Sequence, residues 1–281
     1  MTTGTDTTSR TRLADLPADD PMIAYLTGST GFFSSAADLR FSYCLYVPRD
    51  YRATGERMPL LVSVHGAGRD AERARDVFAG FAEEYRCVIM APLLPMTASD
   101  LGSIHNYKQI SYGGIRFDHV VLDMVAEAGE VWGLDVDRFL LFGFSAGGQF
   151  VHRFAYLHPD RLAALSVGAP GRITRPDPSV PWPDGLGGTA ELTAAPDLVA
   201  LRAVPVQLVV GECDTEISLT AGPAPADPGA SRNRVENARL LHGDLTRGGV
   251  TAELAEVAGV GHHMLQVIPE VQEFFARQIR R

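Results

Sequence analysis

A serine flanked by glycines is the first candidate for chemistry in this chain. Ser145 lies in the segment Gly143-Phe144-Ser145-Ala146-Gly147. An apolar run predicted as a strand, Phe139–Phe142, precedes the segment, and a predicted helix, Ala146–His158, follows it. A serine on a sharp strand-to-helix turn exposes its hydroxyl and has close backbone neighbours, so the flanking positions must be nearly free of side chains. We predict that Ser145 is a nucleophile above the amino end of a helix.

A histidine pair follows the last predicted strand, Val250–Val257. His262 comes directly after Gly259-Val260-Gly261. A histidine on such a loop can take the proton of a nucleophile and later return it to the leaving group. We prefer His262 over His263 for this role. Adjacent histidines can also indicate a metal site, but no Cys, His or Asp spacing elsewhere supports one, so no metal is expected.

A carboxylate is expected to orient this histidine. The segment Gly211-Glu212-Cys213-Asp214-Thr215 follows a strand predicted over Val206–Val210. A carboxylate at that strand end can hold an imidazole and stabilise its cation. We choose Asp214, and Glu212 and Glu216 remain alternatives that would otherwise be solvated loop charges.

Two backbone amides are expected to bind the negative oxygen that forms when a carbonyl group is attacked. His65-Gly66-Ala67-Gly68 follows the predicted strand Leu60–Val64. An oxyanion is stabilised by a pair of N–H donors, and the amides of Ala67 and Ala146 are the candidates. We expect His65 itself to be structural, hydrogen bonded beneath the loop.

Predicted strands and helices alternate over some 240 residues. This alternation is typical of an α/β fold with a mainly parallel central sheet and helices on both faces. The carboxyl ends of parallel strands meet at one edge, where function gathers. The remaining predicted strands are Phe41–Val47, Cys87–Met90 and Leu162–Val167, and the remaining predicted helices are 70–86, 118–132 with Asp118 as cap, 232–248 and 264–279.

The domain organisation follows from the same pattern. We expect residues 1–38 to form a partly flexible N-terminal arm and residues 39–281 to form one catalytic domain. A long loop, 92–115, is predicted to border the pocket, because loops of that length are usually functional. A Pro-rich, lid-like insert covers about 170–200, where Trp182 either closes over the substrate or packs against the domain. The long loop contains the polar residues His105, Asn106, Tyr107 and Tyr112.

The chain order Ser145, Asp214, His262 is that of the triad in α/β-hydrolases. Together with Tyr46-Val47-Pro48, Pro59–Gly66 and Gly143–Gly148, it gives residues 40–281 a resemblance to that superfamily. The sequence is most similar to bacterial serine esterases of the phospholipase/carboxylesterase type and of the poly(3-hydroxybutyrate) depolymerase or feruloyl-esterase type. The resemblance implies an α/β-hydrolase fold and no cofactor.

Two features of the sequence differ from the patterns of particular esterase groups. Ala67 stands where lipases of the His-Gly-Gly type have a second glycine, which argues against the hormone-sensitive-lipase subgroup. The first 21 residues lack the apolar core of a signal peptide. Depolymerases and feruloyl esterases are commonly secreted, so this argues against a polymeric extracellular substrate.

Composition limits the partners. The 281 residues include 34 acidic and 25 basic side chains, giving a net charge of −9. Such a surface does not suit nucleic acid or anionic membranes. We expect a cytoplasmic protein with a small-molecule ester substrate, and a homo-oligomer is compatible with the sequence. The three cysteines are expected to be inert, buried thiols: Cys44, Cys87 and Cys213.

The sequence thus predicts a serine hydrolase that cleaves a carboxylic ester of a small or medium-sized substrate through an acyl-enzyme. Two alternatives stay open. The same triad could hydrolyse thioesters, lactones or amides, or transfer acyl groups. The fold could also serve a non-catalytic binding protein.

Overall fold

The computed structural model describes residues 11–53, 55, 57–96, 105–192, 195–217 and 232–279. Its centre is an eight-stranded sheet with the order β1-β2-β4-β3-β7-β8-β9-β10, and β5 and β6 form a separate hairpin. Pairs β1/β2 and β2/β4 are antiparallel, and every other pair in the large sheet is parallel. The strands are β1 Gly28–Ser34, β2 Ser42–Val47, β3 Pro59–Val64, β4 Val88–Leu93, β5 Ser111–Tyr112, β6 Ile115–Arg116, β7 Asp135–Phe144, β8 Leu162–Gly168, β9 Val206–Gly211 and β10 Ala252–Val257.

Helices cover both faces of the sheet, as predicted. They are α1 Ile23–Leu26, α2 Ala71–Asp76, α3 Ala79–Tyr85, α4 Phe117–Trp132, α5 Ala146–Leu157, α6 Leu198–Leu201, α7 Arg234–Arg247 and α8 Met264–Ile279. The apolar sides of α4 and α5 belong to one hydrophobic cluster. Those of α3 and α8 belong to another. No helix within the described ranges is long and apolar enough to cross a membrane.

Strand β3 shows why the core has two layers. Leu60, Val62 and Val64 lie in the cluster beneath α4 and α5, whereas Leu61 lies in the opposite cluster. Alternate side chains of a strand point to opposite faces, so a strand buried on both faces is mostly apolar along its whole length. The run Leu60–Val64, apolar except for the buried Ser63, therefore predicted β3 to within one residue.

Strand β1 lies inside the stretch that the sequence assigned to an N-terminal arm. It pairs with β2 at the edge of the sheet, and its register shifts between Ser29 and Phe32. At this irregularity the hydroxyl of Thr30 accepts a hydrogen bond from the amide of Leu45 at 2.9 Å, in place of a ladder carbonyl. The irregular register and the Gly- and Ser-rich composition conceal the alternation by which a strand is recognised. Residues 1–10 of the predicted arm lie outside the described residues.

The single helix predicted over 70–86 is wrong, because two short helices, α2 and α3, occupy this stretch. Asp70 caps α2 by accepting a hydrogen bond from the amide of Arg73. The break falls at Phe78, whose backbone has φ −107° and ψ 6°. The Phe78 ring is fully buried and packs edge-on against Phe142 of β7. The break between the helices thus falls at the residue whose ring packs on the sheet.

The strand predicted over Cys87–Met90 is β4, Val88–Leu93, which continues through Pro92, where the long loop was predicted to begin. On one side β4 pairs with β2, opposite Tyr43. On the other side its pairing with β3 ends at Met90. Proline lacks a ladder donor and is tolerated where one side of the strand is unpaired, which is the case here.

The Pro-rich insert is anchored to α5 by buried polar side chains. Nε2 of His152 accepts from the amide of Thr174 at 2.9 Å, and Nε of Arg153 donates to the Thr174 hydroxyl at 2.7 Å. The Tyr156 hydroxyl donates to the carbonyl of Thr174 at 2.8 Å. Trp182 is half-buried against the core and donates from Nε1 to the carbonyl of Gln109 at 3.3 Å. Of the two roles expected for Trp182, these contacts favour packing against the domain.

Candidate active site

Ser145 occupies a strained turn between β7 and α5. Its backbone has φ +58° and ψ −110°, a conformation that side-chain-bearing residues rarely adopt. The glycines on either side have no room for a side chain. A Cβ at Gly143 would lie 2.5 Å from the backbone of Gly147, and a Cβ at Gly147 would lie 2.4 Å from the carbonyl oxygen of Val64. The prediction that positions 143 and 147 must be nearly free of side chains is confirmed.

His262 links Ser145 to Asp214. Nε2 of His262 lies 3.0 Å from Oγ of Ser145, and Nδ1 lies 2.6 Å from Oδ2 of Asp214. A carboxylate only accepts hydrogen bonds, so Nδ1 carries the proton and Nε2 is free to accept from the serine hydroxyl. The structure therefore brings together the three side chains that the sequence selected, in the tautomer that base chemistry at Ser145 requires.

The alternatives for the acid and the base lie elsewhere. Glu212 is exposed and accepts a hydrogen bond from the amide of Gly259 at 3.2 Å. Glu216 contributes its main-chain carbonyl to a contact with Arg234. His263 is exposed, and its amide bonds back to Gly261. Asp214, by contrast, is almost fully buried, and a buried carboxylate facing an imidazole has a defined orientation.

Backbone contacts between two loops place Asp214 beside His262. The amides of Glu212 and Cys213 donate to the carbonyls of Val257 and Val260, at 2.9 and 2.8 Å. A Cβ at Gly211 would lie 2.3 Å from the carbonyl oxygen of Val260, so these loops approach as closely as glycine allows. Cys213, expected to be a buried thiol, is instead exposed on this loop. It follows the end of β9, where the chain has already left the sheet.

The two predicted amide donors lie at the same edge of the sheet. Ala146 begins α5 directly after Ser145, where the first helical N–H groups have no partner within the helix. Ala67 follows β3, which pairs in parallel with β7 so that Val64 lies opposite Gly143. A Cβ at Gly147 would lie 2.4 and 2.9 Å from the carbonyl oxygens of Val64 and His65, so the chain before Ala67 passes close to Gly147. The structure thus places the loop bearing Ala67 next to the turn bearing Ser145 and Ala146.

His65 is structural, as expected. Its Nδ1 donates to the carbonyl of Gly66 at 2.8 Å, and its Nε2 accepts from the amide of Leu94 at 3.0 Å. Burial lowers the pKa of His65 to about 4, so the ring is neutral near pH 7. The carbonyl of His65 accepts from the hydroxyl of Tyr107 at 2.9 Å. The ring thus supports the loop from beneath.

Two arginines of the site were missed by the sequence reasoning. Nη1 of Arg69 donates to the carbonyl of Ala67 at 2.6 Å, and Nη2 donates to Oδ1 of Asn106 at 2.9 Å. Nη1 of Arg234 donates to Oδ1 of Asp214 at 3.0 Å. Arg69 could have been noticed, because it lies two residues after Ala67. Arg234 is 20 residues from Asp214 and carries no local signal.

The long loop contributes structural residues where it is described. Asn106 and Tyr107 are buried, and Nδ2 of Asn106 donates to the carbonyl of Pro95 at 2.9 Å. Their role is to tie this loop to the one after β3. His105 and Tyr112 are half-buried, and residues 97–104 of the predicted loop lie outside the described residues.

One group of side chains has the donor set of a metal site. Oxygen and nitrogen atoms of Asp118, His119 and His158 all lie within 4.8 Å of one another. Asp118 was expected to cap α4, but it lies in the first turn of that helix and accepts from Arg116 at 2.5 and 2.9 Å and from His158 at 2.7 Å. Burial raises the pKa of Asp118, but the bonds from His158 and Arg116 outweigh it and leave the pKa lowered. Asp118 is thus engaged by Arg116 in an ion pair and by His158, which follows α5, in a hydrogen bond, and the second contact joins α4 to the end of α5.

The comparisons with known proteins identify the fold. No protein-family model matches the chain, and a search of curated proteins found no relative. Poly(aspartic acid) hydrolase-1 from Sphingomonas sp. KT-1 superposes with a TM-score of 0.72 and 22% identity, covering 88% of this chain and 98% of its own. The poly(3-hydroxybutyrate) depolymerase from Bordetella parapertussis superposes with a TM-score of 0.72 and 22% identity, covering 95% of this chain and 99% of its own. The S-formylglutathione hydrolase from Agrobacterium tumefaciens superposes with a TM-score of 0.65 and 16% identity, covering 90% of this chain and 96% of its own. The chain therefore has the α/β-hydrolase fold that the sequence predicted.

Proposed function

We propose that the protein is a serine hydrolase that cleaves a carboxylic ester of a small or medium-sized substrate. One observation carries the proposal: Ser145 on its strained turn is hydrogen bonded to His262 at 3.0 Å, and His262 to the buried Asp214 at 2.6 Å. A serine hydroxyl is a weak nucleophile until an adjacent base can take its proton. This arrangement supplies that base and holds it in the required tautomer.

The reaction proceeds in two halves. In the first, Oγ of Ser145 attacks the carbonyl carbon while Nε2 of His262 takes the hydroxyl proton, and the oxyanion faces the amides of Ala67 and Ala146. The bond to the alcohol breaks, and His262 returns the proton to the leaving oxygen. In the second half, water gives a proton to His262 and attacks the acyl carbon; the bond to Oγ of Ser145 then breaks as His262 returns that proton to Oγ, and the acid leaves. Asp214 stabilises the imidazolium in both halves.

The solved structures support hydrolysis and leave the bond type open. Their names state that they act on poly(aspartic acid), poly(3-hydroxybutyrate) and S-formylglutathione. One fold therefore hosts hydrolases of chemically different substrates, and fold alone does not choose between an ester, a thioester and an amide. Ester cleavage remains our proposal, and a panel of substrates with one acyl group on oxygen, sulfur and nitrogen tests it.

The decisive experiment is labelling by a fluorophosphonate. We expect covalent modification at Ser145, loss of modification and turnover in Ser145→Ala, and neither loss in Ser179→Ala, a control at an exposed serine of the insert. Activity should fall on the acid side of the pH profile, because His262 must be neutral to take the serine proton. Full activity in Ser145→Ala would refute the proposal, and an unlabelled wild-type protein would favour the non-catalytic binding role.

A further inference from the structure

Arg234 contacts the candidate acid from the side opposite the histidine. Its Nη1 donates to Oδ1 of Asp214 at 3.0 Å, whereas Oδ2 of Asp214 accepts from His262 at 2.6 Å. The side chains of Arg234 and Asp214 are 12% and 1% exposed. Each carboxylate oxygen therefore has one charged or chargeable donor, and the ion pair is shielded from water, where charge pairs act more strongly than at the surface.

The start of α7 holds Arg234 in this position. Oδ1 of Asn233 accepts from the amide of Glu236, and Oε2 of Glu236 accepts from the amide of Asn233, both at 2.9 Å. This reciprocal cap fixes the first turn of the helix, in which Arg234 is the first residue. The same Nη1 also donates to the carbonyl of Glu216 at 3.2 Å. Arg234 thus joins α7 to the loop that carries Asp214.

We propose, on the basis of the proposed function, that Arg234 is a positioning residue that fixes the rotamer of Asp214 and limits how tightly Asp214 holds the charged form of His262. Two consequences follow from the geometry. Without Arg234, one oxygen of a buried carboxylate loses its charged donor, and the carboxylate can rotate away from the imidazole. The imidazolium also loses a nearby like charge and becomes more favourable, so His262 gives up its proton at higher pH.

Four elements of the described part of the chain contribute residues around His262. The loop after β9 contributes Asp214 and carries Glu212 and Glu216 nearby in sequence, and α7 contributes Arg234. The loop after β10 adds His263, which is exposed. The turn at the end of β7 presents Ser145 and the neutral ring of Phe144, whose centroid lies 4.8 Å from that of His262. Arg234 is therefore the cation whose removal should move the pH profile.

The test compares Arg234→Met, which removes the charge, with Arg234→Lys, which keeps it. In Arg234→Met we expect kcat for an activated ester to fall by about tenfold at little change in KM, since misplacing a catalytic group lowers the rate more than binding. The acid limb of the kcat/KM profile should move up by about one pH unit. In Arg234→Lys the acid limb of the profile should stay at its wild-type pH, and kcat should fall less than in Arg234→Met. Arg239→Met is the matched control, because Arg239 lies on the same helix, is exposed and pairs with Glu256.

Active-site titration with a fluorophosphonate separates the outcomes. If Arg234→Met merely misfolds in part, fewer sites are labelled while kcat per labelled site and the acid limb stay at wild-type values, and the proposal is overturned. An unchanged acid limb in fully labelled Arg234→Met overturns it as well. Failure of the proposed function is distinct, because the wild-type protein would then show neither labelling nor ester turnover.

Discussion

Gly147→Ala tests whether close backbone packing builds the site. Gly147 is the second residue of α5, two positions after Ser145. An added Cβ would lie 2.4 Å from the carbonyl oxygen of Val64 and 2.9 Å from that of His65. Both obstacles are main chain, at the end of a strand paired on both sides. No rotation of a flexible side chain relieves the contact.

The magnitude follows from the distance. Ordinary contact begins at 3.4 Å, so α5 and the end of β3 must separate by about 1.0 Å. Overpacking of this kind costs about 1–3 kcal/mol, while alanine gains at most about 1 kcal/mol over glycine in a helix. We expect the variant to be less stable by about 2 kcal/mol, which lowers Tm by several degrees. Because the shift moves Ser145 relative to Ala67, we expect kcat to fall by about a hundredfold.

Thermal unfolding and ester kinetics measure both effects. Gly80→Ala is the matched control, because Gly80 is the second residue of α3 and a Cβ there would meet nothing within 4 Å. The control should be neutral or slightly stabilising, with unchanged kcat. A Gly147→Ala variant with the Tm and kcat of the wild type would show that the two elements are not packed as described, and the reasoning would fail.

Two further predictions concern stability and the oxyanion loop. Burial lowers the pKa of His65 to about 4 and that of His152 to about 3. Below about pH 6.5 the unfolded chain binds protons that these folded residues do not, so the free energy of unfolding should fall with decreasing pH, by up to about 1.4 kcal/mol per pH unit for each histidine. Urea midpoints between pH 7 and 5 measure this, and a flat profile would contradict the described burial. Arg69→Met should lower kcat by about tenfold with little change in KM, because the carbonyl of Ala67 loses its donor. Arg69→Lys should retain part of the rate, and equal kinetics in all three proteins would argue against a role for Arg69.

The candidate site was predictable because its residues mark the ends of strands. Ser145, Asp214 and His262 each follow an apolar run and lie within three residues of a glycine, so the local sequence indicates both the strand and the turn after it. Arg234 could not be found this way, since its contact with Asp214 depends on where α7 begins relative to β9. Contacts between distant segments have no periodicity that a single sequence reveals.

The fold, like the site, contains elements that the sequence predicted and elements that it did not. Strands buried on both faces, such as β3 and β9, are mostly apolar runs, each with one buried polar residue, and were found almost to the residue. Edge strand β1 was missed, because it contacts the sheet on one side only and a side-chain hydroxyl replaces part of its ladder. The break between α2 and α3 was missed, because it serves the burial of Phe78 against Phe142 rather than any local preference.

Close backbone contacts at two glycines position both parts of the site. Gly147 lies where α5 passes the end of β3, and Gly211 lies where the loop after β10 passes the end of β9. In both places a Cβ would lie within about 2.4 Å of a neighbouring carbonyl oxygen. The first contact sets Ser145 against the loop of Ala67, and the second sets Asp214 against the loop of His262. Because neighbouring parallel strands are held in register by the sheet, two close backbone approaches suffice to align four loops, and the glycines of the sequence mark both of them.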